Sequence, residues 1–127
     1  MIKTTNIKNL FLVVLFMVFT SCSDKETYSE IDGNYTGFFE REGRKSEVSL
    51  NFNEGDYSGD AEFEKFPALC TGNYVVNEDT VTFSNQCVWT AEFDWSLIFN
   101  GDWTFTFLNN QLILTNEIGD RYVLERN

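Results

Sequence analysis

Cys70-Thr71-Gly72-Asn73-Tyr74-Val75-Val76-Asn77-Glu78-Asp79-Thr80-Val81-Thr82-Phe83-Ser84-Asn85-Gln86-Cys87 is the stretch whose reading decides the fold. Its large apolar residues recur at every second position, the period of a half-buried strand, and Glu78-Asp79 breaks the run as a two-residue turn. Centring a hairpin on that turn sets Tyr74 against Phe83 and Val76 against Val81, and the same register brings Cys70 opposite Cys87. The register is tightly specified, because a slip of one residue would turn every apolar side chain to the other face.

Working outward, the same period runs from Gly33 almost to the end, and helical periodicity is absent from this part of the chain. A first hairpin, read with Gly43-Arg44 as a type II′ turn, places Tyr35, Gly37 and Phe39 opposite Phe52, Leu50 and Val48. Glu54-Gly55 then joins Phe52, Leu50 and Val48 to Tyr57, Gly59 and Ala61, while Ser58, Asp60, Glu62 and Glu64 take the wet face. Pro67 excludes a central strand where the chain crosses to Cys70.

After Cys87 the residues Ala91, Phe93, Trp95, Leu97 and Phe99 read as one further strand. A three-residue loop, Phe99-Asn100-Gly101, would pair it with Trp103, Phe105 and Phe107. Asn109-Asn110 joins Phe107 and Phe105 to Leu112 and Leu114, and Glu117-Ile118-Gly119 joins those to Tyr122 and Leu124. Eight or nine short strands, each paired with its sequence neighbour, carry one aromatic face that no helix is available to cover. Closure into an antiparallel up-and-down barrel buries that face and removes the edges. A two-sheet sandwich would need longer crossing connections than most of these turns supply.

The N-terminus has a different grammar. Lys3 and Lys8 precede the apolar run Leu10 to Phe19, and Thr20-Ser21-Cys22 closes it, as in a secretory signal. The run is too short to cross a bilayer core of ~30 Å as a helix. It resembles a bacterial lipoprotein signal, which implies removal of residues 1–21 and lipidation of Cys22, with 22–32 as a polar linker and 33–127 as the barrel domain. The resemblance implies an outer-membrane lipid anchor, with the domain facing the periplasm or the cell surface. In that oxidising setting Cys70 and Cys87 remain as an even pair, so an inward-facing disulfide across the hairpin is expected. Closing such a loop stabilises a small domain by about 3 kcal/mol in the chain-entropy picture.

Composition narrows the function. The 127 residues hold 9 Lys+Arg against 20 Asp+Glu, a net charge of −11, so nucleic acid and anionic lipid head groups are repelled. There is no histidine, which removes the commonest general base and metal ligand together. Asp94 and Asp102 are the carboxylates available to pair for acid/base work, but nothing in their setting separates their roles, and no enzyme, cofactor or metal is expected. With 13 Phe, 5 Tyr and 3 Trp the chain has ample material for a core.

Gly33-Asn34-Tyr35, opening the first strand, resembles the Gly-x-Trp that opens lipocalins, with Tyr at the aromatic position. Arg126, near the end of the last strand, resembles the arginine that packs across that aromatic. With the meander, these make the chain similar to small lipocalin-like lipoproteins of the Bacteroidota, a resemblance that implies a barrel with a ligand mouth and no chemistry.

Two non-catalytic readings follow. In the first, the barrel holds a small apolar or amphipathic ligand among Tyr35, Phe52, Tyr57, Tyr74, Trp95, Trp103, Phe105 and Tyr122, in space left by Gly37, Gly59, Ala61 and Gly72. In the second, the interior is filled by its own side chains, as an eight-stranded barrel permits, and the protein presents a surface to a protein or glycan. Phe38, Trp89 and Ile98 fall off the inward register and would mark such a surface if clustered. An open interior above ~300 Å³ favours the first reading and a filled one the second.

Overall fold

Eight strands form from the alternating stretches: β1 Gly33–Arg41, β2 Arg44–Asn53, β3 Asp56–Ala61, β4 Thr71–Asn77, β5 Thr80–Asn85, β6 Gly101–Leu108, β7 Gln111–Thr115 and β8 Arg121–Arg126. In the computed structural model, which describes residues 30–90 and 92–127, they pair in sequence order as a closed antiparallel barrel. The barrel shuts where β8 pairs with β1, Leu124 opposite Gly37, so no edge strand is left unpaired. Cys22, the signal segment and Ala91 lie outside the described residues. Among the described residues no helix is long and apolar enough to cross a membrane.

The alternation is literal. In β2, Ser46, Val48, Leu50 and Phe52 are buried while Lys45, Glu47 and Ser49 are exposed. The buried set from all strands forms one hydrophobic cluster, with Tyr35, Phe52, Tyr74, Phe83, Leu114 and Tyr122 near its heart. The hairpin at Glu78-Asp79 has the expected register, Tyr74 opposite Phe83 and Val76 opposite Val81. So do the pairings across Glu54-Gly55, Asn109-Asn110 and the loop at residues 117–119.

Three expectations are corrected. The first hairpin turns on Glu42-Gly43, not Gly43-Arg44, and Tyr35 faces Leu50 while Phe39 faces Ser46. Both turn residues take positive φ, 52° and 83°, which puts the glycine second, as a type I′ turn prefers. The shift is by two residues, so every side chain stays on its expected face.

The second correction concerns the segment after Cys87, in which the described residues 89–90 and 92–100 form no strand. Asp94 accepts hydrogen bonds from the Ser96 amide at 3.0 Å and the Ser96 hydroxyl at 2.7 Å, and so caps a single 3-10 turn, Trp95–Leu97. That turn breaks the two-residue period, and β5 pairs directly with β6. Trp95 is consequently 60 % exposed, and among the described residues of the expected strand only Phe99 is fully buried.

The third concerns the disulfide. Cys70 and Cys87 are bonded as expected, with Cα atoms 6.3 Å apart, but they lie just beyond the strand ends and are half-buried, outside the fully buried core. The folded unit also begins earlier than residue 33, since Ile31 is fully buried in the core cluster.

Candidate functional site

The two ends of the barrel are built differently. One end carries the tight turns 54–55, 78–79 and 109–110 together with residues 30–32 and 126–127, and the other carries the long connections 62–70 and 86–100 with the turns 42–43 and 116–120. At the turn end, Tyr35 donates its hydroxyl to the Ile31 carbonyl at 2.9 Å, and Arg126 donates to the Tyr35 hydroxyl at 2.7 Å and the Glu30 carbonyl at 3.0 Å. The guanidinium also lies over the Tyr35 ring, 5.3 Å from its centroid. Asp32 accepts from the Tyr74 hydroxyl at 2.5 Å and from the Glu54 amide at 3.2 Å. That end is sealed.

At the connection end, the two long segments pair with each other. The Ala68 amide donates to the Leu97 carbonyl at 2.9 Å and the Phe99 amide to the Ala68 carbonyl at 3.2 Å, forming a short parallel bridge across the mouth. This folds Ala68, Leu69 and Phe99 inward, and each is buried. Phe99 stacks on Phe83 with centroids 4.0 Å apart, meets Tyr57, Trp103 and Tyr122 within 5.7 Å, and accepts the Tyr57 hydroxyl on its carbonyl at 3.0 Å.

Of the eight residues expected to line a ligand cavity, seven (Tyr35, Phe52, Tyr57, Tyr74, Trp103, Phe105 and Tyr122) face the interior and are buried. Their rings pack on neighbouring rings, as in Tyr35 on Phe52, Phe52 on Tyr74, Tyr57 on Phe83 and Trp103 on Tyr122. Trp95 is the exception, outside on the 3-10 turn. The small residues leave no room beside them: a Cβ at Gly59 would meet the Leu50 side chain, and one at Gly72 the Tyr57 ring.

Burial sets the electrostatics of this interior. Desolvation pushes the Tyr57 hydroxyl up to about 12. It raises Tyr74 further still, helped by the hydrogen bond to Asp32, and raises Tyr122 and Tyr35 from the ordinary value. Tyr35, Tyr57 and Tyr74 donate their hydroxyls to Ile31, Phe99 and Asp32, and burial holds all four phenol protons more tightly than in water.

Outside the mouth, the 86–100 connection displays aromatics. Trp89 stands edge-on to Phe93 at 6.0 Å, Phe93 lies 6.4 Å from Trp95, and the Lys65 ammonium sits 5.5 Å over the Phe93 ring. Phe63, on the other connection, is half exposed. The connection is anchored at three points. Asn85 takes the Trp89 indole N–H at 3.2 Å on its side chain, and its amide donates to the Asn100 side chain at 2.7 Å, closing the neck. The Cys70–Cys87 bond ties the neck to the end of the 62–70 connection. Arg41 forks onto buried Asp120 at 2.7 and 2.6 Å and reaches Asp94 at 3.1 Å, joining the connection to the β7–β8 turn.

Sequence reading missed this cluster because Phe93 and Trp95 fit an inward alternation. The available signal was Asp94-Trp95-Ser96, where an Asp two residues before a Ser offers a cap that stops a strand. Phe38, Trp89 and Ile98 do not cluster: Phe38 stands on the outer wall of β1, and the other two on the connection. Asp94 and Asp102 are engaged separately, Asp94 by Ser96 and Arg41, and Asp102 by the Thr82 hydroxyl at 2.7 Å. Among the described residues no group of His, Cys, Asp or Glu is placed to hold a metal ion. In comparisons with known proteins, no family model, no curated protein and no solved structure matches this chain.

Proposed function

We propose that this chain is a non-catalytic interaction module, lipid-anchored through Cys22 on the outer membrane, that binds a protein partner with the aromatic rim at the connection end of its barrel. The single observation that carries the reading is the Phe99 contact: a ring seated on Phe83 at 4.0 Å occupies the place where a ligand would enter. This favours the filled-core reading over a small apolar ligand held among Tyr57, Tyr74 and Tyr122. Aromatics held on anchored loops supply large contact area at low conformational cost, and here exposed Trp95 stands beside half-buried Phe93 and Trp89. The contact between Arg126 and Tyr35 supports the lipocalin-like comparison, and with it a scaffold that carries function on its loops.

Site-specific photo-crosslinking in intact cells tests the partner. A crosslinker at Trp95 is expected to give a discrete covalent adduct that one at Thr104, exposed on the β6 wall, does not. Equal labelling at both, or at neither, overturns the reading. The anchor is checked separately: Cys22→Ser is expected to release the folded domain from the membrane, and a variant that stays membrane-bound contradicts it.

A further inference from the structure

We infer that the outer wall over β1, β2, β3 and β8 is a second docking surface, a trough that takes an extended basic segment of a partner protein. A hollow of about 630 Å³ lies there, lined chiefly by outward-facing side chains of those strands, with Gly37, Val48 and Ala61 of the inward set also bordering it. Its floor is apolar: Phe38 is 44 % exposed on β1, with Val123 beside it on β8. At Gly37, on the inward register beside Phe38, a Cβ would collide with the Val123 carbonyl oxygen, so β1 and β8 approach closely along this seam.

The rim is acidic. Glu47, Asp60, Glu62 and Glu125 all line the hollow, and among the described residues the ion pairs run from Arg41 to Asp94 and Asp120, leaving these four without a cationic partner. Lys45 lies over the Phe38 ring at 5.6 Å. Like charges facing one concavity repel one another, and a cationic partner relieves that repulsion while adding attraction.

The occupant follows from what the wall offers. Closure of the barrel leaves no free edge, so a partner strand cannot add to the sheet and must be recognised through its side chains. Carboxylates around an apolar floor suit lysines or arginines interspersed with apolar residues, and an extended segment of about six residues spans ~20 Å. An anionic membrane or a nucleic acid would be repelled. The trough uses residues distinct from Trp89, Phe93 and Trp95, so the inference does not rest on the reading of the rim.

The test uses the full chain in neutral detergent and a fluorescein-labelled octapeptide alternating lysine and leucine, at low ionic strength, where exposed charges are least screened. The combined variant Glu47→Gln, Asp60→Asn, Glu125→Gln is expected to weaken binding by ~tenfold. A control removing the same charge elsewhere, Glu54→Gln, Glu78→Gln, Glu117→Gln, is expected to change it by less than about twofold. Phe38→Ser is expected to weaken it as well, and peptide-induced NMR shifts in the unsubstituted protein are expected to concentrate on Phe38, Ser49, Asp60 and Val123. Equal weakening by the two triple variants, no binding at all, shifts centred elsewhere, or displacement by spermine as readily as by unlabelled peptide would each overturn the trough as a peptide site.

Discussion

The turn end and the connection end of this barrel are made from similar residues and put to opposite uses. At the turn end, Tyr35, Tyr74 and Arg126 spend their polar groups on the chain itself, on Ile31, Asp32 and Glu30. At the connection end, Trp95 and Phe93 meet each other and Lys65, and Trp95 leaves most of its surface to solvent. Aromatic content alone therefore does not separate core from interface. What separates them is whether the local backbone keeps its two-residue period. Where tight turns preserve it, rings point inward and pack; where the Asp94 cap breaks it, they point out.

The comparison can be broken most severely by alkali. Tyr57 holds its proton to about 12 because of burial, and Tyr35, Tyr74 and Tyr122 are raised in the same direction from 10.0. An unfolded chain releases these protons near pH 10, so the folded state is favoured fully below that value and loses stability as pH rises toward the folded pKa values. Absorbance of tyrosinate is expected to rise cooperatively with loss of β-sheet circular dichroism above pH 10. A simple titration at pH 10 with the fold intact would mean the interior is wet.

Next in size is Phe83→Ala. Phe83 is 1 % exposed and touches Phe52, Tyr57, Tyr74 and Phe99, so its removal is expected to cost about 3–5 kcal/mol in chemical denaturation. A cost under ~1 kcal/mol would indicate a loosely packed centre. Replacing both Cys70 and Cys87 by Ala is expected to cost about 3 kcal/mol, with the strand pattern unchanged. That bond links the necks of the two long connections, so amide exchange is expected to quicken in residues 86–100 before it does at the turn end. The smallest effect is at the rim: Trp95→Ala is expected to change stability by less than about 0.5 kcal/mol while abolishing the crosslinked adduct.

Most of the fold was legible in the sequence, because period-two alternation constrains which face is inside even where a turn is misplaced. The Glu42-Gly43 hairpin illustrates this: moving its turn changed partners by two residues and altered no face. The disulfide pairing was legible for the same reason, although its half-buried position at the strand ends was not. The candidate site was largely hidden. Ala91 to Phe99 shares the core's alternation in sequence, and the side-chain cap of Asp94 on Ser96, a contact outside that pattern, turns residues 94–97 into a 3-10 turn. Burial of Phe99 through Ala68 depends on two segments about thirty residues apart in sequence, which no local period encodes.

The central claim is that the barrel is filled by its own rings and works from its outer surface. Titrating the full chain with a small apolar probe such as 1-anilinonaphthalene-8-sulfonate, while following the methyl resonances of Val81, Leu112, Leu114 and Leu124, tests it most directly, since all four are wholly buried. The account expects these signals to stay in place up to probe concentrations that perturb Trp95 and Phe93. A saturable, one-to-one shift of the interior methyls that precedes any change at the rim would contradict it and return the barrel to the role of a ligand carrier.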